Sequence, residues 1–308
     1  MRVAVIGGSG HIGTWLVPML SSRGYEVLVL SRSQRGPYHS FPGWDRVELV
    51  EVDRTALERE GTFGRFVSSL RCDVVIDLIC FDVSSAVQIV DAVSPRVSHF
   101  LHCGTLWVHG NPPFRPYDET SPREPFGDYG IRKAEVERFL LERATDGFPV
   151  TILHPGHITG PGWSPINPAG HLDPLVFSRL ERGEVVEIPD DGAATLQHVH
   201  AADVAQAFLL AVENPRAAIG EAFHVAARDP VTMRDYAAEV AGWFNRAANL
   251  SFLPFDEWRN TVSARDAEIT RDHILHSPHA SIAKAERLLG FIPRFTATGA
   301  VKDALGIV

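Results

Sequence analysis

The sequence predicts an α/β protein: a doubly wound parallel sheet followed by a smaller substrate lobe. Three observations carry this. Short Val- and Ile-rich runs alternate with helical stretches through the first half, the runs are apolar at consecutive positions, and a glycine cluster follows the first run at once. Strands are expected near 2–6, 26–30, 47–52, 73–79, 98–103 and 149–153, with helices near 11–22, 55–70, 84–93 and 129–145 between them. A strand apolar on both faces must be covered on both, and helical crossovers supply that cover. Past residue 160 the alternation is interrupted by Gly160, Pro161, Gly162, Pro165, Pro168 and Pro174. Helices are expected there near 201–213, 232–246 and 281–289, and short strands near 185–188 and 222–226. Residues 1–165 are thus expected to form the sheet domain, with segments near 195–226 returning to it, and 166–308 mainly the substrate lobe.

Composition narrows the function classes. Of 308 residues, 45% are hydrophobic and 22% charged, which excludes disorder, collagen and a chain-long coiled coil. With 29 Lys and Arg against 38 Asp and Glu, the net charge of −9 argues against broad binding to nucleic acid or anionic membrane. Cys72, Cys80 and Cys103 form no CxxC pair and no even framework, so reduced thiols are expected. The run Met1–Ile6 meets the glycine cluster directly and leaves no room for a signal peptide, and no apolar segment approaches a membrane span. A cytoplasmic location is the expectation. Fourteen histidines raise the question of metal ligands.

Gly7-Gly8-Ser9-Gly10-His11-Ile12-Gly13 closes the first strand and opens the first helix. Glycine there permits a tight turn, close approach of backbone to a pyrophosphate, and close packing of helix on strand, while the helix N-terminus attracts the anion. The spacing is Gly7, Gly10, Gly13, so dinucleotide binding is predicted, with His11 and Ile12 in the binding turn. Cofactor choice is read at the end of the second strand. The run Ser31-Arg32-Ser33-Gln34-Arg35 holds no carboxylate for the ribose hydroxyls, and Arg32 offers a guanidinium to a 2′-phosphate. NADP is therefore favoured over NAD, with Ser31 and Arg32 as contacts. Asp53 either hydrogen-bonds the adenine or caps the helix that starts near Thr55.

Tyr129 and Lys133 stand four residues apart, on one face of an expected helix, where an ammonium would favour the phenolate. A phenol tuned in this way exchanges a proton with a substrate hydroxyl. Upstream, strand five runs into Gly104-Thr105-Leu106-Trp107-Val108-His109. The order of glycine loop, hydroxyl residue and YxxxK resembles the extended short-chain dehydrogenase/reductase family, whose members include epimerases, dehydratases and reductases. Three later stretches are similar too: Val150–Gly162, Gln197–Ala205 and Leu288–Pro293.

The resemblance covers nearly the whole chain and implies a Rossmann-type fold with catalytic Thr105, Tyr129 and Lys133. In it, Thr105 orients the substrate oxygen, Tyr129 is the general acid/base, and Lys133 lowers the Tyr129 pKa and holds the nicotinamide ribose. It also implies that Pro155 lies against the cofactor. The substrate would be a small carbonyl or alcohol compound, or a nucleotide-sugar. An oxidoreductase and an epimerase that does not consume its cofactor both fit, and a non-catalytic dinucleotide sensor or RNA-associated protein on the same fold is a third reading. Family members often dimerise through the helix that would bear Tyr129, so a homodimer is the assembly to look for.

The chain also departs from the family. Leu106-Trp107 stands where 4,6-dehydratases carry Asp-Glu, so water elimination lacks its acid and base. His157 replaces a frequent asparagine and His154 a frequent arginine, which weakens the nucleotide-sugar reading. Arg265 and Arg271 remain as candidate diphosphate partners. The pairs His154/His157, His198/His200 and His276/His279 lack the helical i,i+4 geometry of HExxH, so no metal is expected. Trp107, His109 and His157, with His200, are instead expected to contact substrate.

Overall fold

The computed structural model describes residues 1–32 and 36–307; Ser33, Gln34 and Arg35, at the end of the run proposed for cofactor choice, lie outside them. Six strands alternate with helices as the pattern requires. They are β1 (Arg2–Ile6), β2 (Glu26–Ser31), β3 (Glu48–Glu51), β4 (Val74–Asp77), β5 (His99–Cys103) and β6 (Val150–Pro155). The helices between them are α1 (His11–Ser22), α2 (Arg54–Arg59), α3 (Phe63–Ser69), α4 (Val83–Val93) and α5 (Gly127–Thr145).

A seventh strand, Ala222–Val225, returns from the C-terminal half and pairs with β6. The order across the sheet is β3, β2, β1, β4, β5, β6 and the returning strand, all parallel. Between β1 and β4 the winding reverses, and ligands of doubly wound sheets bind beyond the strand ends at such a point.

Successive side chains of a strand face opposite sides, so a doubly covered sheet builds two cores. Val3, Val5, Val27, Val29 and Ile76 pack with α1 and the helix Ala201–Glu213. Ala4, Ile6, Leu28, Leu30 and Val75 pack on the other face against α3, α4 and α5. A third cluster, with Phe177, Ile188, Tyr236 and Trp258, lies among C-terminal segments.

Four elements differ from expectation. The helix expected over 55–70 is broken into α2 and α3 at Gly61, whose φ of +64° is left-handed and ends α2. The proline-rich stretch still forms a helix, Leu175–Arg182, directly after Pro174. The strand Asn249–Leu253, paired with Val185–Pro189, and the helix Ala264–His276 were not anticipated.

Candidate active site

The glycine turn is built as its sequence demands. Gly7 has φ +80°, and its N–H donates to Leu30 O at 2.9 Å, tying the end of β1 to β2. Gly10 N–H donates to Gly7 O at 2.9 Å, and Gly10 begins α1 without a side-chain cap. A Cβ on Gly13 would lie 2.0 Å from Gly8 O, so only glycine lets α1 sit this close to the turn.

Two cavities meet here, sharing Gly7, Gly10, Ile79 and Phe81. One, of about 800 Å³, runs past Ser31, Arg32 and Asp53. The other, of about 470 Å³, continues past His11, Ile12, Pro155, Thr105, Trp107, Tyr129, Lys133 and His157. Together they form a groove across the strand ends at the winding reversal, with the uncapped N-terminus of α1 beside it. This cradle fits a dinucleotide.

At the Arg32 end of the groove, Asp53 Oδ1 accepts from Ala56 N–H at 3.1 Å, so Asp53 caps α2 while also lining the cavity. Sequence reasoning missed its neighbour Arg54, which is buried and donates to Asp77 Oδ1 at 2.8 Å and to Glu58 Oε1 at 2.6 Å.

At the other end, Thr105 Oγ1 accepts from Trp107 N–H at 3.3 Å and caps the short 3₁₀ turn Leu106–His109. Tyr129, in the first turn of α5, keeps 44% of its surface open to the cleft. Burial of the phenol pushes its pKa up to about 12, against a hydrogen bond with Thr105 that pulls it down.

Lys133 follows one turn later and is buried, its pKa lowered first by that burial. Its Nζ donates to Cys80 O at 2.7 Å and Cys103 O at 2.6 Å, and lies 4.9 Å from the centre of the Phe81 ring. Two of the three ammonium hydrogens thus clamp α5 to the end of β5 and to the segment following β4. The i,i+4 spacing puts both residues on one helix face, lining the same cavity.

Trp107 and His157 line the cleft as expected. The Trp107 ring stacks on His276 with centroids 3.9 Å apart and meets Tyr129 edge-on at 5.9 Å. Burial holds His157 well below its ordinary pKa, so it is neutral.

His109 is misplaced by the sequence reading. It is fully buried, with Nδ1 3.1 Å from Pro122 O and Nε2 2.9 Å from His224 Nε2. A 3₁₀ turn advances about 120° per residue, so side chains two positions apart diverge; Trp107 enters the cleft and His109 the core. His200 is likewise not among the cleft residues: its Nε2 lies 3.1 Å from Asp303 Oδ2 and its Nδ1 accepts from Ala202 N–H. Arg265 and Arg271 are exposed on Ala264–His276 and do not line the cavity.

The structure adds Ile79, Phe81, Ile158, Trp163 and Pro278 to the walls. Ile79 and Phe81 follow β4, so the rule that ligands sit beyond strand ends points to them.

A parallel sheet with a glycine turn at its winding reversal, and a threonine, tyrosine and lysine assembled at the far end of the groove, define a nicotinamide-dinucleotide enzyme of the extended short-chain type. Residues 3–226 match the NAD dependent epimerase/dehydratase family, and the chain belongs to it. Among its relatives is 2'-dehydrokanamycin reductase of Streptomyces kanamyceticus, 28% identical over 261 residues that cover 84% of this chain and 70% of the relative. Another is the chloroplast stem-loop binding protein of 41 kDa b of Arabidopsis thaliana, 24% identical over 317 residues that cover 99% of this chain and 79% of the relative. In fold the chain is similar to the UDP-glucose 4-epimerase of Thermotoga maritima solved with UDP-glucose. That match has a TM-score of 0.73 and 22% identity, and covers 99% of this chain and 98% of the other. No helix among the described residues is long and apolar enough to cross a membrane.

Proposed function

We propose that this protein is an NADP(H)-dependent reductase of neutral, largely apolar ketones, working in reverse as a secondary-alcohol dehydrogenase. One observation carries the reading. Among the described residues lining the cavity beside Tyr129 the only side chain with a fixed charge is Lys133, already held by two backbone carbonyls. Beyond the glycine turn, which serves the cofactor, a nucleoside diphosphate entering that space would bring two negative charges to walls made by Leu106, Trp107, Ile158, Trp163 and Pro278. A neutral substrate incurs no such cost.

In this reading Thr105 donates its hydroxyl hydrogen to the substrate carbonyl oxygen and fixes its direction. Tyr129 then donates its proton to that oxygen as negative charge develops there. The raised phenol pKa of about 12 suits reduction, because the residue is protonated throughout the neutral range. Lys133 keeps the Tyr129 helix in register with the turn bearing Thr105. Gly7, Gly10, His11, Ile12, Gly13 and Pro155 would hold the dinucleotide, with Ser31, Arg32 and Asp53 at its adenosine end, and Arg32 pairs with a 2′-phosphate. When bound, the nicotinamide supplies hydride to the carbonyl carbon.

Enzyme function is favoured over an RNA-binding role by the net charge of −9 and by the assembled threonine, tyrosine and lysine. The test is a spectrophotometric screen in which NADPH is offered with neutral aryl and alkyl ketones, and UDP-glucose is assayed for interconversion with UDP-galactose. Net NADPH loss with a neutral ketone is expected. Interconversion of the nucleotide-sugars without net loss would replace this reading with that of an epimerase.

A further inference from the structure

The histidine pairs visible in the sequence are not the groups the fold makes. His109 from the 3₁₀ turn, His154 from β6 and His224 from the returning strand meet in the core, all fully buried. One ring nitrogen from each lies within 4.8 Å of the others. His154 and His224 are register partners on adjacent parallel strands, so the pairing of the sheet itself sets two of the three.

The hydrogen bonds at the rim of the cluster fix the tautomers. His109 Nδ1 lies 3.1 Å from Pro122 O, and His224 Nδ1 lies 3.1 Å from Ser281 O. A carbonyl oxygen only accepts, so both Nδ1 atoms carry the hydrogen. In the neutral rings both Nε2 atoms are then bare lone pairs, and they face each other at 2.9 Å. Two lone pairs at that distance repel unless an electron-pair acceptor lies between them.

His154 completes the pattern, with Nε2 3.1 Å from Glu137 Oε2, whose carboxylate is itself paired with Arg123 at 2.8 Å. His109 and His224 are thus each held on one side by a carbonyl, while His154 has a carboxylate oxygen 3.1 Å from Nε2 and a buried Nδ1 with no hydrogen-bond partner among the described residues. That outer-shell arrangement is how proteins orient metal-ligating histidines. Zinc binds imidazole nitrogen at about 2.0–2.1 Å in tetrahedral geometry, which sets two such nitrogens about 3.3–3.4 Å apart, so the 2.9 Å pair would open by roughly half an ångström to admit the ion.

We propose that His109, His154 and His224 form a buried site for a divalent transition metal of the zinc type, with Glu137 as the carboxylate behind His154. Imidazole donors favour zinc, copper, nickel and iron over magnesium and calcium. The site is separate from the hydride chemistry and serves the fold: the ring of His154 packs against Gly104, where an added Cβ would come within 2.3 Å of it, so the metal ties the turn bearing Thr105 to the last two strands.

The test uses the full-length chain without a polyhistidine tag. Elemental analysis of the purified protein is followed by removal of metal with chelator and titration with Co2+, whose ligand-field absorption reports coordination. The expected result is one Co2+ per chain, a visible band displaced by Zn2+, and a rise in Tm on adding Zn2+ to the metal-free protein. His109→Gln and His224→Gln each lose the band. Glu137→Gln retains it with affinity weakened about 10–100-fold. His157→Gln, in the cleft, retains it unchanged. A wild-type protein that binds no Co2+ and shows no Tm response to Zn2+ overturns the proposal, whether or not the variants fold. So does a His109→Gln/His224→Gln double variant that binds Co2+ as wild type does.

Discussion

Mild acid should unfold this protein well before its carboxylates titrate. Four buried histidines, His99, His198, His273 and His276, are held neutral by burial: His99, His273 and His276 down to about 4 and His198 to about 3, from an ordinary 6.5. In the unfolded chain each takes a proton at about pH 6.5, and in the fold it resists until pH 4 or below. The unfolded state therefore binds more protons through that window, and stability falls as pH falls. Above 6.5 both states are neutral and the four contribute no pH dependence. At pH 5 each has shifted the balance by about 2 kcal/mol, so the four together remove about 8 kcal/mol, comparable to the total stability of many domains, about 5–15 kcal/mol. Guanidinium unfolding followed by circular dichroism between pH 7.5 and 5 measures this directly. Unfolding free energy should be flat above pH 7 and decline below 6.5, with a slope near pH 5 of at least about four protons, since buried His102 and His157 are shifted in the same direction. His99→Gln, which retains a partner for the Thr151 hydroxyl 2.8 Å away, should lower that slope by one proton. Equal stability at pH 5 and pH 7 would refute the reasoning.

Four further outcomes follow, three at the site and one a control outside it. Lys133→Met strands two carbonyls at about 1–3 kcal/mol each, offset in part by relief of a buried ammonium, so calorimetry of the cofactor-free protein should show a loss of about 2 kcal/mol; an unchanged Tm would show that the clamp is not structural. Gly13→Ala places a methyl 2.0 Å from Gly8 O, and should cost about 1–3 kcal/mol and weaken dinucleotide binding in isothermal titration. Gly242→Ala, near the end of a helix with nothing within 4 Å, should instead leave stability equal or raise it. Arg32→Ser should weaken NADP(H) about 10–100-fold, the loss of a charge-assisted bond, and leave NAD(H) unchanged; equal effects on both would remove Arg32 from the 2′-phosphate.

The sheet was legible because its signal is local. The inner strands are short apolar runs bounded by polar or glycine residues, as a parallel sheet covered on both faces requires, whereas β3, Glu-Leu-Val-Glu at the sheet edge, is mostly exposed. The helix Ala264–His276 was missed for the opposite reason. Its buried face is Ala267, Thr270, His273 and His276, so a polar face packs inward and no apolar period marks it. Its histidines nonetheless shape the cleft through Trp107.

Glycine turn, Thr105, Tyr129 and Lys133 were legible as a motif, but their contacts were not. That Lys133 clamps Cys80 and Cys103 depends on where two distant strands end, which no spacing encodes. His109 shows the same limit: the 3₁₀ turn that directs it inward and the register that brings His224 beside His154 are properties of the folded chain.

The central claim is that Tyr129 transfers the proton in hydride chemistry at the cleft. With a ketone that the wild type reduces, Tyr129→Phe isolates that role, since it removes one hydroxyl and keeps the ring against Trp107. The account predicts that kcat falls about 10²–10⁴-fold, while the NADPH dissociation constant, measured by fluorescence titration, stays within about twofold of wild type. A Tyr129→Phe protein that turns over at the wild-type rate would contradict it.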